Sequence, residues 1–411
     1  MFSDSRTTFN SVIAVLLVLI IVSCNQGENS SNSTYEKGTY GYDVTFLKKH
    51  LSDVVELKNS EGAKVLVTGD YQGRVMTSTL KGDEGQSMGW INYELIESGE
   101  WLPQFNPTGG EERFWIGPEG GQYSFYFKKD TPFTFDQWQV PAFIDTLRYS
   151  RVSSTENEVV YTHTASLQNY AGFQFDLAVT RAIRLLTTSD LEEKINQTIP
   201  QSVSWVAYET NNTIKNIGKQ PWTKETGLLS IWLLGMFNPS DETVAIIPFK
   251  NRPEAEKHMT TDYFGPIPDE RLVQKDTVLL LKCDGRHRSK LGLSPGIAKP
   301  IAGSFDFKQN VLTLIIFQVD EMGDYVNSKW EIQDQPFRGD VVNAYNDGPL
   351  ADGGQLGPFY ELESSSSALS LTPGTQQNYK QVTCHFTGDF DALNQLSSTL
   401  LGISLEDARL Q

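Results

Sequence analysis

The sequence predicts an all-β protein of stacked antiparallel sheets, and three observations carry that reading. Apolar residues recur at every second position through most of the chain, the period of a half-buried strand. The runs that show this period are short and end on Gly, Pro, Asn or Asp. With 33 Gly and 18 Pro in 411 residues such breakers are plentiful, while 39% hydrophobic residues suffice for a large core.

The first 42 residues stand apart. Residues 12–22 are almost wholly apolar, yet they fall short of the ~20 residues a membrane-spanning helix needs, so they read as the core of a signal peptide. The run ends Ile21-Val22-Ser23-Cys24, which resembles a bacterial lipobox. Residues 1–23 are therefore expected to be removed and the thiol of Cys24 to carry a lipid anchor to the membrane. Residues 24–42 are polar and Gly/Ser-rich, as a flexible tether should be. By the convention of lipoprotein sorting, Asn25 points to the outer membrane rather than the inner one. The expected location is the cell envelope, facing the periplasm, with a single domain over 43–411.

Within that domain the elements follow in order. Phe46, Leu47, Leu51, Val54 and Val55 fall on one helical face, predicting a helix over about 43–57. Alternation then predicts strands at 63–69, 74–80, 113–117, 123–127, 158–167, 173–179, 202–212, 228–237 and 243–249. It continues at 277–283, 311–319, 359–363 and 381–388. Leu393, Leu396, Leu400 and Leu401 restore helical spacing near the C-terminus. No fixed repeat and no internal low-complexity linker forces a domain cut.

Charge narrows the function. Acidic residues outnumber basic ones by 51 to 34, a formal net charge of −17, which excludes the electrostatic footprint of a nucleic-acid binder. Beyond Cys24 only Cys283 and Cys384 remain; they could pair in an oxidising compartment or serve as two small buried hydrophobes. No Cys/His spacing suggests zinc. Between 338 and 354, Asp340, Asn343, Asn346, Asp347 and Asp352 are hard oxygen donors that could hold Ca²⁺, but the spacing is not that of an EF-hand and Asn-Asp-Gly is also ordinary turn chemistry, so no metal or other cofactor is assigned. Nucleotide-binding and nucleophile motifs are missing.

Three stretches carry candidate chemistry. In "FYELESSSSALSLTPG", residues 359–374, strand alternation puts Glu361 and Glu363 on the same side. If that side faces solvent they are surface charges; if it lines a hollow, each raises the other's pKa and one can act as a general base. In "EERFWIGPEGGQYSFYF", residues 111–127, Arg113, Trp115, Glu119 and Tyr123 combine fixed donors, flat apolar surfaces and an acceptor, the mix that recognises a pyranose. Trp232, in a mid-chain strand, is a second candidate platform. In "KCDGRHRSKLGLSP", Arg286, Arg288 and Lys290 surround His287 and concentrate positive charge. Such a loop could hold a uronate or sulfate, or be neutralised by neighbouring acids.

The stretch "YELESSSSALSLTPGTQQNYKQVTCHF" resembles the C-terminal part of the galactose mutarotase (aldose 1-epimerase) superfamily, where a Leu-Glu strand precedes a polar stretch, a Pro-Gly turn and an exit strand. "NNTIKNIGKQPW", "GRVMTSTL" and "ERFWIGPEGG" are similar to further strands of that fold, so the likeness spans most of 60–390 and is nearest to an uncharacterised bacterial lipoprotein branch. It implies a β-supersandwich of two large antiparallel sheets with a few flanking helices, and a carbohydrate site on one of them. Glu363 matches the family's base and Arg113 its sugar-holding arginine. The family's general-acid histidine should fall mid-chain, where this sequence has Trp232, Met236, Phe237 and Asn238 instead. His287 is the replacement acid this suggests, since His50, His163, His258 and His385 sit in a helix, in strands or in a charged loop. Three functions follow: a carbohydrate-active enzyme, which the paired carboxylates favour; a non-catalytic glycan binder; and a structural envelope lipoprotein.

Overall fold

A computed structural model of the chain describes residues 35–350 and 353–410. The signal segment and Cys24 lie outside the described residues, as does Asp352 of the candidate Ca²⁺ donors. A helix, Tyr40–His50, starts inside the expected tether; Thr39 caps it by accepting from the backbone N–H of Tyr42. It also ends earlier than helical spacing predicted. The backbone N–H groups of Ser52 and Asp53 both donate to the Asp70 carboxylate at 2.8 Å, turning the chain out of the helix. Val54 and Val55 then open a strand, where β-branched side chains fit better.

Among the described residues nineteen strands form three antiparallel sheets. A small sheet takes β1 (Val54–Lys58), β2 (Lys64–Thr68) and β3 (Arg74–Thr79). The remaining strands are β4 (Arg113–Gly117), β5 (Ser150–Ser154), β6 (Glu158–Gln168), β7 (Gln174–Leu185), β8 (Val203–Asn216), β9 (Ser230–Phe237), β10 (Thr243–Pro248), β11 (Met259–Thr260), β12 (Leu272–Lys275), β13 (Val278–Lys282), β14 (Ser289–Leu293), β15 (Ile301–Asp306), β16 (Val311–Phe317), β17 (Val342–Asn346), β18 (Tyr360–Ser365) and β19 (Gln376–Gly388). Ten of them form one sheet in the order β12-β13-β10-β15-β16-β19-β8-β7-β6-β5, and six form another in the order β11-β14-β17-β18-β9-β4. The expected pair of large antiparallel sheets with a few helices is the architecture found.

Alternation along the strands sorts the side chains into layers. Leu233 of β9, Leu362 of β18, Ala344 of β17 and Leu291 of β14 join Val206, Tyr208 and Ile247 of the larger sheet in one buried core. A second cluster gathers Ala207, Ile246, Leu314 and Phe386 of the larger sheet with Leu191 and Ile195 of helix Thr188–Ile195 and with Leu393 and Leu396 of helix Phe390–Leu400. Cys283 belongs to the first cluster and Cys384 to the second, and both are free thiols. They are the two buried hydrophobes rather than a bridge.

Residues 123–127 are not a strand. The Ser124 hydroxyl donates to the Glu119 carbonyl, and the Tyr126 hydroxyl donates to the Ile116 carbonyl at 2.7 Å, folding this aromatic stretch back on the end of β4. The stretch read as a basic loop is half strand, since Ser289–Leu293 pairs with β17 along its whole length. Between the layers sits a polar network that composition does not reveal. Arg181 donates to Glu112 at 2.8 Å, Thr210 and Gln381 donate to the other oxygen of Glu112, and the His385 ring pairs with Glu111 at 2.7 Å.

Candidate functional site

The face of the six-stranded sheet turned away from the core forms the floor of a pocket of about 840 Å³. Register explains which residues reach it. Arg113, Leu234, Glu363, Asn343 and Gly292 lie in one row across β4, β9, β18, β17 and β14; Trp115, Trp232 and Ser365 form the next row, and Met236, Glu361, Tyr345 and Lys290 the row on the other side. Neighbouring strands are ~4.8 Å apart, so each row brings together side chains distant in sequence. Loops supply the remaining walls, with Glu119 after β4, Phe264 after β11, and Trp330 between β16 and β17.

At the centre Arg113 donates to the Glu361 carboxyl, and both side chains are almost fully buried. Only one guanidinium nitrogen is used. Nε and Nη1 of Arg113 are buried and have no hydrogen-bond partner among the described residues, while its guanidinium carbon sits 4.9 Å over the Trp115 ring. The Glu361 carboxyl is pushed up to about 8. Burial is the largest cause; Arg113 and Lys290 oppose it, and the neighbouring Glu363 and Asp347 add to it.

Glu363 sits one layer lower. Its side chain is fully buried and outside the pocket wall, and its Oε2 accepts from the Trp232 indole at 2.9 Å and from the Lys290 ammonium at 2.8 Å. Its Oε1 is buried without a hydrogen-bond partner among the described residues. Trp232 occupies part of the segment where the resemblance called for a histidine, and its N–H serves as a donor to the carboxylate. Lys290, read from the sequence only as part of a basic loop, is the cation that holds Glu363. Its charge also lowers the pKa of Glu119 and Asp340, two further wall carboxylates that burial raises.

Of the sequence-predicted site residues, Arg113, Trp115, Glu119, Trp232, Arg288 and Glu361 meet in this pocket. Trp115 and Trp232 stand edge to face with ring centroids 5.6 Å apart. His287, Arg286 and Tyr123 do not reach it. Alternation aims Arg288 and Lys290 at the pocket and thereby turns His287 away, Arg286 is exposed and paired with Asp241 at 2.6 Å, and Tyr123 stacks on Phe337. His287 is thus not placed to act as the replacement acid. The candidate Ca²⁺ donors separate as well: Asp340 and Asn343 line the pocket, whereas Asn346 lies on the other face of β17 and donates to the His287 carbonyl. Among the described residues no three His, Cys, Asp or Glu side chains group as metal ligands would.

The two large antiparallel sheets, one of them carrying this polar and aromatic pocket, are the β-sandwich architecture expected of the chain. The profile described as "Family of unknown function (DUF6786)" matches residues 38–411, and the chain belongs to that family. No curated protein matches the sequence. Among solved structures the chain is similar to the Slr1438 protein from Synechocystis sp. PCC 6803, with a TM-score of 0.50 and 12% identity over 82% of this chain and 96% of that one. It is also similar to a galactose mutarotase-like protein from Lactobacillus casei ATCC 334, with a TM-score of 0.46 and 10% identity over 81% and 99%. Only the first of these reaches a TM-score of 0.50, and at such identities what it supports is the fold.

Proposed function

We propose that the protein binds a carbohydrate in this pocket and processes it by acid/base chemistry, with Glu361 as the proton-transferring group. One observation carries the reading: a carboxyl in the pocket wall, held at about 8 by burial, stands beside a guanidinium that donates to it through one nitrogen. A group that keeps its proton at neutral pH can donate it to a sugar oxygen. Trp115 and Trp232 offer apolar faces to the ring. Glu363 then acts through Trp232 and Lys290, as a positioning residue rather than as the base that the resemblance implied.

The test is a glycan panel measured by calorimetry and product NMR on the native protein and on Glu361→Gln. Turnover by the native protein that falls at least a hundredfold in the variant, with binding retained, supports the reading; turnover unchanged in the variant refutes it. Binding without turnover in either form supports a non-catalytic glycan binder. A specific feature favours that second reading: the other carboxylate is already engaged by Lys290 and Trp232. Attachment to the envelope through Cys24 belongs to the same proposal and rests on the sequence of residues 21–24. Metabolic labelling with palmitate should mark the native protein and not Cys24→Ala; equal labelling of both would overturn it.

A further inference from the structure

We propose that Arg288, lying on the face of Phe264, is an anion subsite of this pocket, and that the saccharide it takes carries a carboxylate, as a uronic acid does. The inference rests on the carbohydrate reading above and narrows it to a substrate class. Four cations line the pocket, and three already have a carboxyl group within hydrogen-bonding reach. Arg113 pairs with Glu361, Lys290 with Glu363, and Lys329 with Asp262 at 3.2 Å. Arg288 has no ion pair among the described residues.

Its guanidinium is nevertheless held in place. The central carbon lies 3.8 Å from the centroid of the Phe264 ring, and Nε donates to the Tyr345 hydroxyl at 3.3 Å. Tyr345 is fixed in turn by donating to Asp347 at 2.5 Å and by standing edge-on to Phe264, with centroids 5.8 Å apart. An aromatic ring under one face and a phenol at Nε define the plane of the fork. Both Nη groups are left without a protein hydrogen bond among the described residues.

A stacked guanidinium loses little further freedom on binding, and its outer edge matches the two oxygens of a planar carboxylate better than a point charge would. Glu119 is the acid nearest in effect, since Arg288 lowers its pKa, but the two share no hydrogen bond. Burial favours the protonated form of Glu119, which reduces its repulsion of an incoming anion. Phe264 is 44% exposed, so the subsite stands at the rim of the pocket.

The experiment uses disaccharides of galacturonate, glucuronate and mannuronate, each beside its carboxyl-reduced neutral counterpart. Affinities are measured by calorimetry at low salt for the native protein, Arg288→Gln and Arg288→Lys, with melting temperatures as the folding control. At least one acid should bind the native protein tenfold or more tighter than its neutral form. Arg288→Gln should erase that ratio, and Arg288→Lys, which keeps the charge without the fork, should retain part of it. Equal affinity for acid and neutral forms overturns the subsite and leaves the carbohydrate reading standing. A preference that survives in Arg288→Gln, or a preference for sulfated sugars over uronates, also overturns it. Binding of no saccharide defeats both proposals.

Discussion

The raised pKa of Glu361 makes a prediction about stability that needs no ligand. A carboxyl that titrates near 4.5 in the unfolded chain and at about 8 in the native protein keeps its proton on folding while the unfolded chain gives it up. Its contribution is therefore fully present below pH 4.5 and is lost as pH rises toward 8. At about 1.36 kcal/mol per unit the whole displacement is worth roughly 5 kcal/mol, and about 3 kcal/mol of that is gone by pH 7. Glu361→Gln has nearly the shape of the protonated acid and cannot ionise, so it should escape the loss while its amide oxygen still accepts from Arg113. From pH 5 to pH 8 the variant's advantage over the native protein should grow by about 3 to 4 kcal/mol, which for a domain of this size is a difference of roughly 4 °C in Tm. Paired calorimetric scans at half-unit intervals measure it. Glu112, pushed up to about 7, and Asp43, pushed up to about 6, titrate in the same window but are common to both proteins and cancel in the difference. A difference in Tm that stays flat from pH 5 to pH 8 would refute the reasoning and remove Glu361 as a proton donor at neutral pH.

Three further outcomes follow from the same contacts. Lys290→Met strips the cation from the fully buried Glu363 and should cost about 3 kcal/mol or more in urea unfolding, most of it recovered when Glu363→Gln is added; a loss under 1 kcal/mol would show that the pair contributes little. Gly292→Ala places a methyl group against the Asp340 carboxylate and the Asn343 amide on the pocket floor, so it should destabilise by about 1 to 3 kcal/mol and weaken any ligand that the native protein binds. Cys283, whose thiol burial pushes up to about 12, and Cys384, raised for the same reason, should resist iodoacetamide in the native protein and react fully in denaturant without reductant; resistance in denaturant would indicate a disulfide.

The sheets were legible because long strands such as β6 and β7 carry their own alternation. What escaped was set by partners in space. β14 reads as a charged loop because its pocket-facing positions are Lys290 and a glycine, and only pairing with β17 makes it a strand. Val54 and Val55 continue a helical pattern in sequence, yet Asp70, 17 residues from Asp53, decides otherwise by capturing two backbone N–H groups. Residues 123–127 have strand composition, but Tyr126 hydrogen-bonds back to Ile116 of β4, while Tyr123, Phe125 and Phe127 pack on Phe337, Phe175 and Trp330. In the site, strand parity correctly put Arg113 with Trp115 and Glu361 with Glu363.

Parity fixes a face and not a depth, and that difference reassigns the chemistry. Glu361 and Glu363 point the same way from one strand, about 7 Å apart along it. The residues that flank them are unlike. Glu363 has Leu234 and Asn343 beside it in its row, and the long side chains of Trp232 and Lys290 reach it from the two adjoining rows, so that its carboxylate is covered and committed. Glu361 has Met236 and Tyr345 in its row, and its hydrogen-bond partner among the described residues is Arg113, which donates to it through one nitrogen. A buried acid with a single cation stays raised and available for proton transfer, whereas one engaged by an ammonium and an indole is fixed as an anchor. Under the proposed function, the sequence position that best matched a known base is the support, and the carboxyl two residues before it is the group that would meet a substrate.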